Sequence, residues 1–266
     1  MPELPDLEIE RRRLQAGAVG RRVVEVHVPA PEILRDTSPQ ALGRRLHGRR
    51  LEKTRRHGKY LFPCFGPEAW LVVHFGMTGR LAFFREPDGA PQYTDLFLDL
   101  DDAASLAYVV PRKLGLVGLT DDPSAFVAAQ GLGPDVMALD CERFAELAAG
   151  RRGGIKCWLM NREVMAGIGN VYSDEALFRA RIHPKTRITD LDEGDLERLF
   201  EALMEVLSAA IDAEADPECM PDDFLLPHRD EDAACPRCGG AVRRIRVCGR
   251  SAFLCPECQN PKPPAP

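Results

Sequence analysis

The feature that most constrains this 266-residue chain is a pair of Cys-x-x-Cys motifs near its end: Cys235 and Cys238, then 16 residues, then Cys255 and Cys258. Each motif sits in a turn that aims two thiolates at one ion, and two such turns complete a tetrahedron. Four thiolates leave no open position for water, so one Zn2+ held there is structural. The intervening GGAVRRIRVCGRSAFL reads as a β-hairpin, which is too short to hold itself without such a staple. A redox dithiol is the competing reading, against which stands the lack of a βαβ pattern around either motif. Cys64, Cys141, Cys157, Cys219 and Cys248 have no such spacing and read as buried or incidental thiols.

The rest of the chain has enough apolar residues, 45%, for a real core. Its length suits one large domain or two ordinary ones. No run of about 18 apolar residues marks a membrane span. The opening MPELPDLEIERRR places acids before bases and has no apolar stretch, so a cytoplasmic protein, associated with the nucleoid if it binds DNA, is expected. The net charge of −6 argues at first against a polyanionic partner. The charge is segregated, however: residues 1–120, 151–185 and 235–266 are net basic, while 121–150 and 186–234 are net acidic. Binding to phosphates depends on the local field, so this pattern permits nucleic-acid binding without establishing it.

Periodicity divides the chain. A helix is expected from about Pro5, with Leu7, Leu14 and Ala18 on one stripe. Val24, Val26 and Val28 then alternate with Glu25 and His27, and further short strands are expected near 59–65, 70–75, 81–85, 96–100 and 105–110. A helix followed by roughly a hundred residues of short strands implies a sandwich or barrel. From about 121 the period becomes helical, with DPSAFVAAQ, DCERFAELAA and the long DEGDLERLFEALMEVLSAAIDAEA; Asp190 with Glu193 resembles a capping box for the last. Residues 214–234 read as an acidic loop, and PKPPAP as a disordered tail.

Three further groups carry chemistry. Arg243, Arg244, Arg246 and Arg250 crowd the hairpin, where they serve either a solvated ribbon or DNA phosphate. Gly167-Ile168-Gly169-Asn170 leads into a helix whose free N–H groups suit a phosphate, although many helical corners carry such glycines. At the amino terminus, removal of Met1 would leave Pro2 with a secondary amine that can add to a sugar C1′ and give a cationic iminium, with Glu3 beside it for proton transfer. On residues alone, Pro-Glu reads as an ordinary chain end.

MPELPDLE, HGKYLF, HFGMTGRL, PRKLG, IKCWLMN, GIGNVYSDEALFRARIHP and GRSAFLCPECQ, in this order, resemble the formamidopyrimidine-DNA glycosylase/endonuclease VIII family from the first residue to about 260. The resemblance implies an α+β fold: an N-terminal helix and β-sandwich over 1–118, a helical domain with a helix-two-turn-helix motif over 119–220, an acidic loop over 221–234, a zinc finger over 235–260 and a tail over 261–266. It implies Pro2 as Schiff-base nucleophile, Glu3 as general acid/base and Lys59 as a phosphate contact that assists elimination. His74, Lys156, Asn170 and Arg250 match residues that hold phosphates around an everted nucleotide, and Met77, Arg112 and Leu114 match the side chains that fill the vacated stack. The implied activity is excision of an oxidised or ring-opened purine from double-stranded DNA, followed by β- and δ-elimination, by a monomer needing only zinc.

Some positions depart from the family pattern. Asp6 stands where Glu is usual, Leu114 where the oxidised-purine branch carries Phe, and DPECMPDDFLLPHRDEDAA does not resemble the glycine-containing loop that closes over the oxidised base. Specificity for oxidised pyrimidines or bulky adducts, and a DNA-binding module that does not cut, are the competing expectations.

Overall fold

The computed structural model describes residues 2–85 and 89–259, so Met1 and the expected tail at 261–266 lie outside the described residues. The chain forms two compact units, Met1–Gly131 and Leu132–Pro266.

The first unit opens with α1 (Leu4–Ala18), whose Pro5 lies in the first turn, where a missing N–H costs nothing. β1 (Val23–His27) follows, then α2 (Pro39–Leu46), β2 (Lys53–His57), β3 (Tyr60–Cys64), β4 (Trp70–His74), β5 (Arg80–Arg85), β6 (Thr94–Leu100), β7 (Ala104–Val109), β8 (Leu116–Thr120) and α3 (Pro123–Ala129). The strands make two four-stranded antiparallel sheets, ordered β1-β6-β7-β5 and β2-β3-β4-β8. The expected sandwich therefore forms. Leu96, Leu98, Leu106 and Tyr108 of one sheet share a core with Leu61, Leu71, Val73 and Val117 of the other. The stripe Leu7, Leu14 and Ala18 of α1 belongs to the same core. Each fully buried leucine there contributes about 2 kcal/mol.

Three elements went unforeseen. β2 reads KTRRH, with no apolar alternation, and is a strand because it pairs from Lys53↔Cys64 to His57↔Tyr60 with the buried β3. β8 pairs with β4 along its length, so the expected domain edge at 118 falls inside a strand, and α3 also belongs to the first unit. α2 is capped by Ser38, whose Oγ accepts from Ala41 N, and it buries Leu42 and Leu46 completely.

The second unit contains α4 (Cys141–Ala148), α5 (Ile155–Leu159), α6 (Asn170–Arg179), α7 (Glu193–Asp212) and the hairpin β9 (Arg243–Val247) with β10 (Arg250–Leu254). Leu199, Leu203, Val206, Leu207 and Ala210 form the buried stripe of α7, which packs on α4 and α6. Phe144 meets Trp158 edge-on at 5.0 Å and Phe200 at 5.4 Å. The cap of α7 lies two residues beyond the expected one. Asp192 accepts from Asp195 N at 2.8 Å and Asp195 accepts from Asp192 N at 3.1 Å, while Asp190 closes a separate 3-10 turn. No helix of the described residues is long and apolar enough to cross a membrane.

Candidate active site and nucleic-acid interface

In the first unit, Pro2 is half-buried and immediately precedes Glu3, which is 1% exposed and caps α1. Glu3 N donates to Asp6 Oδ2 at 2.8 Å. The shorter Asp6 thus still closes the first turn. Burial holds its carboxyl above the usual range, with the negative Glu3 adding to the effect against the backbone hydrogen bonds. One turn on, Glu8 would also be raised by burial, but hydrogen bonds from Arg11 and the positive charge of Arg56 hold it low. Arg56 on β2 donates to Glu8 at 3.3 Å and to the Gly58 carbonyl at 3.2 Å. This arginine ties α1, which Pro2 and Glu3 directly precede, to the Gly58-Lys59 turn between β2 and β3.

The expected stack-filling residues come together on two loops. Met77 follows β4, and Arg112 and Leu114 precede β8; all three are exposed. Glycine makes the contact possible. A Cβ on Gly76, which has φ +60°, would lie 2.4 Å from the Leu114 carbonyl, and one on Gly115 would lie 1.9 Å from Tyr108 Oη. Tyr108 donates to the His74 carbonyl at 2.7 Å, and Gly76 N donates to His74 Nδ1 at 3.1 Å. His74 is therefore oriented through the same loop junction that presents Met77 and Leu114. Burial, with the nearby Asp95 adding to it, raises the Tyr108 phenol and keeps it a proton donor.

In the second unit, α5, two turns and α6 form the expected helix-two-turn-helix corner. Lys156 is fully buried, with its ammonium 2.6 Å from Asp174 Oδ1, 2.8 Å from Ser173 Oγ and 3.0 Å from the Asn170 carbonyl. Asp174, also fully buried, accepts as well from Arg229 at 2.8 Å and from Phe253 N of β10 at 3.2 Å. One carboxylate thereby joins α5, α6, the acidic segment and the hairpin. Sequence reading missed it, because nothing in SDE distinguishes a buried Asp from a solvated one. Asn170 Nδ2 donates to the Ser251 carbonyl at 2.8 Å, which leaves its second N–H for another acceptor. Arg250 is exposed and lies 3.9 Å from Met160 Sδ at the end of α5.

The acidic segment is anchored to α6. Glu175 accepts from Leu225 N at 2.9 Å and Leu226 N at 2.6 Å, Phe224 and Leu225 are buried, and Arg179 lies 4.5 Å over the Phe224 ring. Burial pushes the Glu175 carboxyl up to about 7 against those two hydrogen bonds.

The four motif cysteines have sulfurs within 4.8 Å of one another, with Cys235 to Cys258 at 3.8 Å and Cys238 to Cys255 at 3.5 Å. Tetrahedral Zn–S bonds of about 2.3 Å require sulfurs roughly 3.8 Å apart, so the donor set fits one structural zinc. Gln259 is fully buried beside it; its Oε1 accepts from Cys255 N at 3.0 Å and its Nε2 donates to the Ile182 carbonyl at 2.9 Å. Expectation fails for two other cysteines. Cys157 of α5 and Cys248 of the hairpin turn, read as incidental thiols, form a disulfide with Cα atoms 5.8 Å apart. Their separation of 91 residues hid the pairing.

Comparison with known proteins agrees with this arrangement. Residues 1–117 match the formamidopyrimidine-DNA glycosylase N-terminal domain, 131–218 its H2TH domain, and 234–261 the zinc finger found in FPG and IleRS. The formamidopyrimidine-DNA glycosylase of Geobacter metallireducens is 39% identical over 273 residues, covering 98% of this chain and all of the relative. That of Streptococcus pyogenes serotype M6 is 30% identical over 279 residues, covering 99% and all. The Lactococcus lactis enzyme non-covalently bound to AP-site DNA superposes with a TM-score of 0.88 at 27% identity, and MutM in complex with carbocyclic 8-oxo-G DNA with 0.89 at 27%; each comparison covers 97% of this chain and all of the other. With its three regions matched in order and its relatives aligned end to end, the chain belongs to the formamidopyrimidine-DNA glycosylase family.

Proposed function

We infer that this protein is a DNA N-glycosylase with AP lyase activity, acting as a monomer on oxidised purines in double-stranded DNA. The observation that carries the reading is the amino-terminal Pro2-Glu3 pair at the mouth of a capped helix, in a chain whose relatives are named formamidopyrimidine-DNA glycosylases. With Met1 removed, the Pro2 nitrogen attacks C1′ of the everted nucleotide, the C1′–N bond to the base breaks, and the base leaves with a proton. Glu3, held by the first turn of α1, transfers protons at the sugar. The cationic iminium acidifies C2′–H, and successive β- and δ-eliminations release both flanking phosphates. Lys59, beside the Arg56 tie, and His74, set by Gly76 N, stabilise the developing phosphate charge.

Met77, Arg112 and Leu114 fill the space left by the everted nucleotide, offsetting an unstacking cost of about a few kcal/mol. Leu114 offers a smaller wedge than an aromatic ring. Arg250 and the spare N–H of Asn170 hold phosphate. Lys156, with its ammonium enclosed, acts behind them by fixing the first turn of α6 through the Asn170 carbonyl. Zinc keeps the hairpin folded and takes no part in the chemistry. Its relatives are bacterial, which supports work in the cytoplasm, and a DNA substrate would put that work on the nucleoid.

Borohydride trapping on an abasic duplex tests the reading. Native protein should form a covalent adduct, and Pro2→Gly should lose it. Glu3→Gln should slow base excision more than cleavage of a preformed abasic site. An adduct of unchanged yield with Pro2→Gly, or an initiator methionine retained in active enzyme, would move the nucleophile elsewhere. Incision of duplexes bearing oxidised purines against oxidised pyrimidines fixes the lesion class.

A further inference from the structure

The bridge between Cys157 and Cys248 joins the two elements that carry the expected phosphate-holding groups. Cys157 follows Lys156 in α5, and Cys248 lies two residues before Arg250. Zinc fixes the base of the β9–β10 hairpin, but the tip is a two-stranded ribbon, and such ribbons are marginal alone. Besides the bridge, the hairpin meets the α5–α6 corner through the Arg250 contact with Met160, the Asn170 hydrogen bond to Ser251 and the Phe253 hydrogen bond to Asp174.

Cys248 has φ +51° and Gly249 has φ +73°, the successive left-handed pair of a tight hairpin turn. The first position favours Asn, whose short polar side chain tolerates that region; a cysteine gains nothing there from local hydrogen bonding and carries the Cβ strain. Both cysteines are also exposed, so the bridge does not serve a buried core and lies open to small thiols.

We propose that Cys157 and Cys248 are positioning residues for DNA binding, whose disulfide holds Arg250 against the Asn170 corner and whose reduction loosens that grip. The proposal rests on the DNA-binding reading above. In the reducing step a dithiol thiolate attacks one sulfur and displaces the other cysteine as thiolate, and its second thiol then attacks the mixed disulfide and displaces the first cysteine. Two electrons pass to the protein, leaving two cysteine thiols and a cyclic oxidised dithiol; a disulfide oxidant reverses the exchange. Reducing cytoplasm would thus keep the clamp slack, and oxidative stress, which also generates oxidised purines, would tighten it.

The test compares full-length, zinc-loaded protein in oxidised and dithiothreitol-reduced states, with one zinc per chain verified in both. Binding is measured to a duplex carrying a tetrahydrofuran abasic analogue, and single-turnover cleavage to an abasic duplex. Reduction should weaken binding about tenfold and make the salt dependence shallower by about one unit of slope, the loss of one ordered phosphate contact. Cleavage at saturating DNA should change less than about twofold, since Pro2 and Glu3 are not involved. Cys157→Ser and Cys248→Gly, the latter suited to a left-handed turn, should each bind like reduced protein and ignore dithiothreitol.

Equal affinity and salt slope in the two states would overturn the proposal. So would peptide mapping that finds both cysteines alkylatable in oxidised protein. A chain that neither binds nor is trapped in either state would remove the DNA reading, and the proposal with it.

Discussion

Asp174→Asn probes the polar centre of the second unit. The Asp174 and Lys156 side chains are both 0% exposed and 2.6 Å apart, and Arg229, 19% exposed, reaches the other carboxylate oxygen at 2.8 Å. Asparagine keeps the shape but removes the charge and turns one acceptor into a donor, so a donor must face either Lys156 or Arg229. Removing one partner of a buried ion pair costs about 3–5 kcal/mol. Arg229 is partly hydrated and still lies 4.5 Å over the Phe253 ring, so most of that cost falls on Lys156. We expect a loss of about 4 kcal/mol. Lys156→Met, by contrast, leaves Asp174 with Arg229 and Phe253 N, and should cost about 1–2 kcal/mol. The double variant should lose less than the sum, by about 1–3 kcal/mol. Urea unfolding followed by Trp158 fluorescence reads this directly in a Trp70→Phe background, since the chain has two tryptophans, one in each unit. An Asp174→Asn cost under about 1 kcal/mol, or a larger cost for Lys156→Met, would refute the ion-paired description.

Glu175 binds a proton more tightly folded, near 7, than its ordinary 4.5, so its favourable contribution is complete below the lower value and is lost as pH rises through the upper one. The stability of native protein relative to Glu175→Gln should therefore fall by roughly 2–3 kcal/mol between about pH 4.5 and 8, and a difference flat with pH would count against it. Gly115→Ala drives a Cβ into the Tyr108 hydroxyl and should cost about 1–3 kcal/mol and impair duplex incision, whereas Gly43→Ala, with nothing within 4 Å in α2, should stabilise by about 0.4–1 kcal/mol. Thermal denaturation separates the two. Chelation of zinc should release one ion per chain, expose Arg243–Arg250 to trypsin and abolish borohydride trapping; full trapping by zinc-free protein would contradict the hairpin's role.

Much of this architecture was legible because burial imposes periodicity. Leu96, Leu98 and Leu100 alternate because one face of β6 meets the core, and α7 repeats every three to four residues because one stripe packs inward. Illegible parts share a different physics. β2 has no apolar face and is a strand only through its neighbour. The α7 cap slipped from Asp190 to Asp192 because several aspartates there have equivalent chemistry. The zinc cysteines announced themselves by local spacing, whereas Cys157 and Cys248 meet only once the helical corner and the hairpin have packed. Asp174, Gly76 and Gly115 matter through what touches them in space. The Cys248-Gly249 dipeptide, where Asn-Gly is usual, was the one local hint of the bridge.

The backbone approach of Gly76 to Leu114 makes two loops, distant in sequence, into a single footing. Exchanging Leu114 for a bulkier side chain therefore changes how far the tip projects while its seat stays put. An insertion on either side of that footing would instead displace Met77 and the His74 ring together. If Met77, Leu114 and His74 meet DNA as proposed, lesion preference in this lineage can change by swapping tips, whereas changes in loop length would disturb phosphate grip at the same stroke.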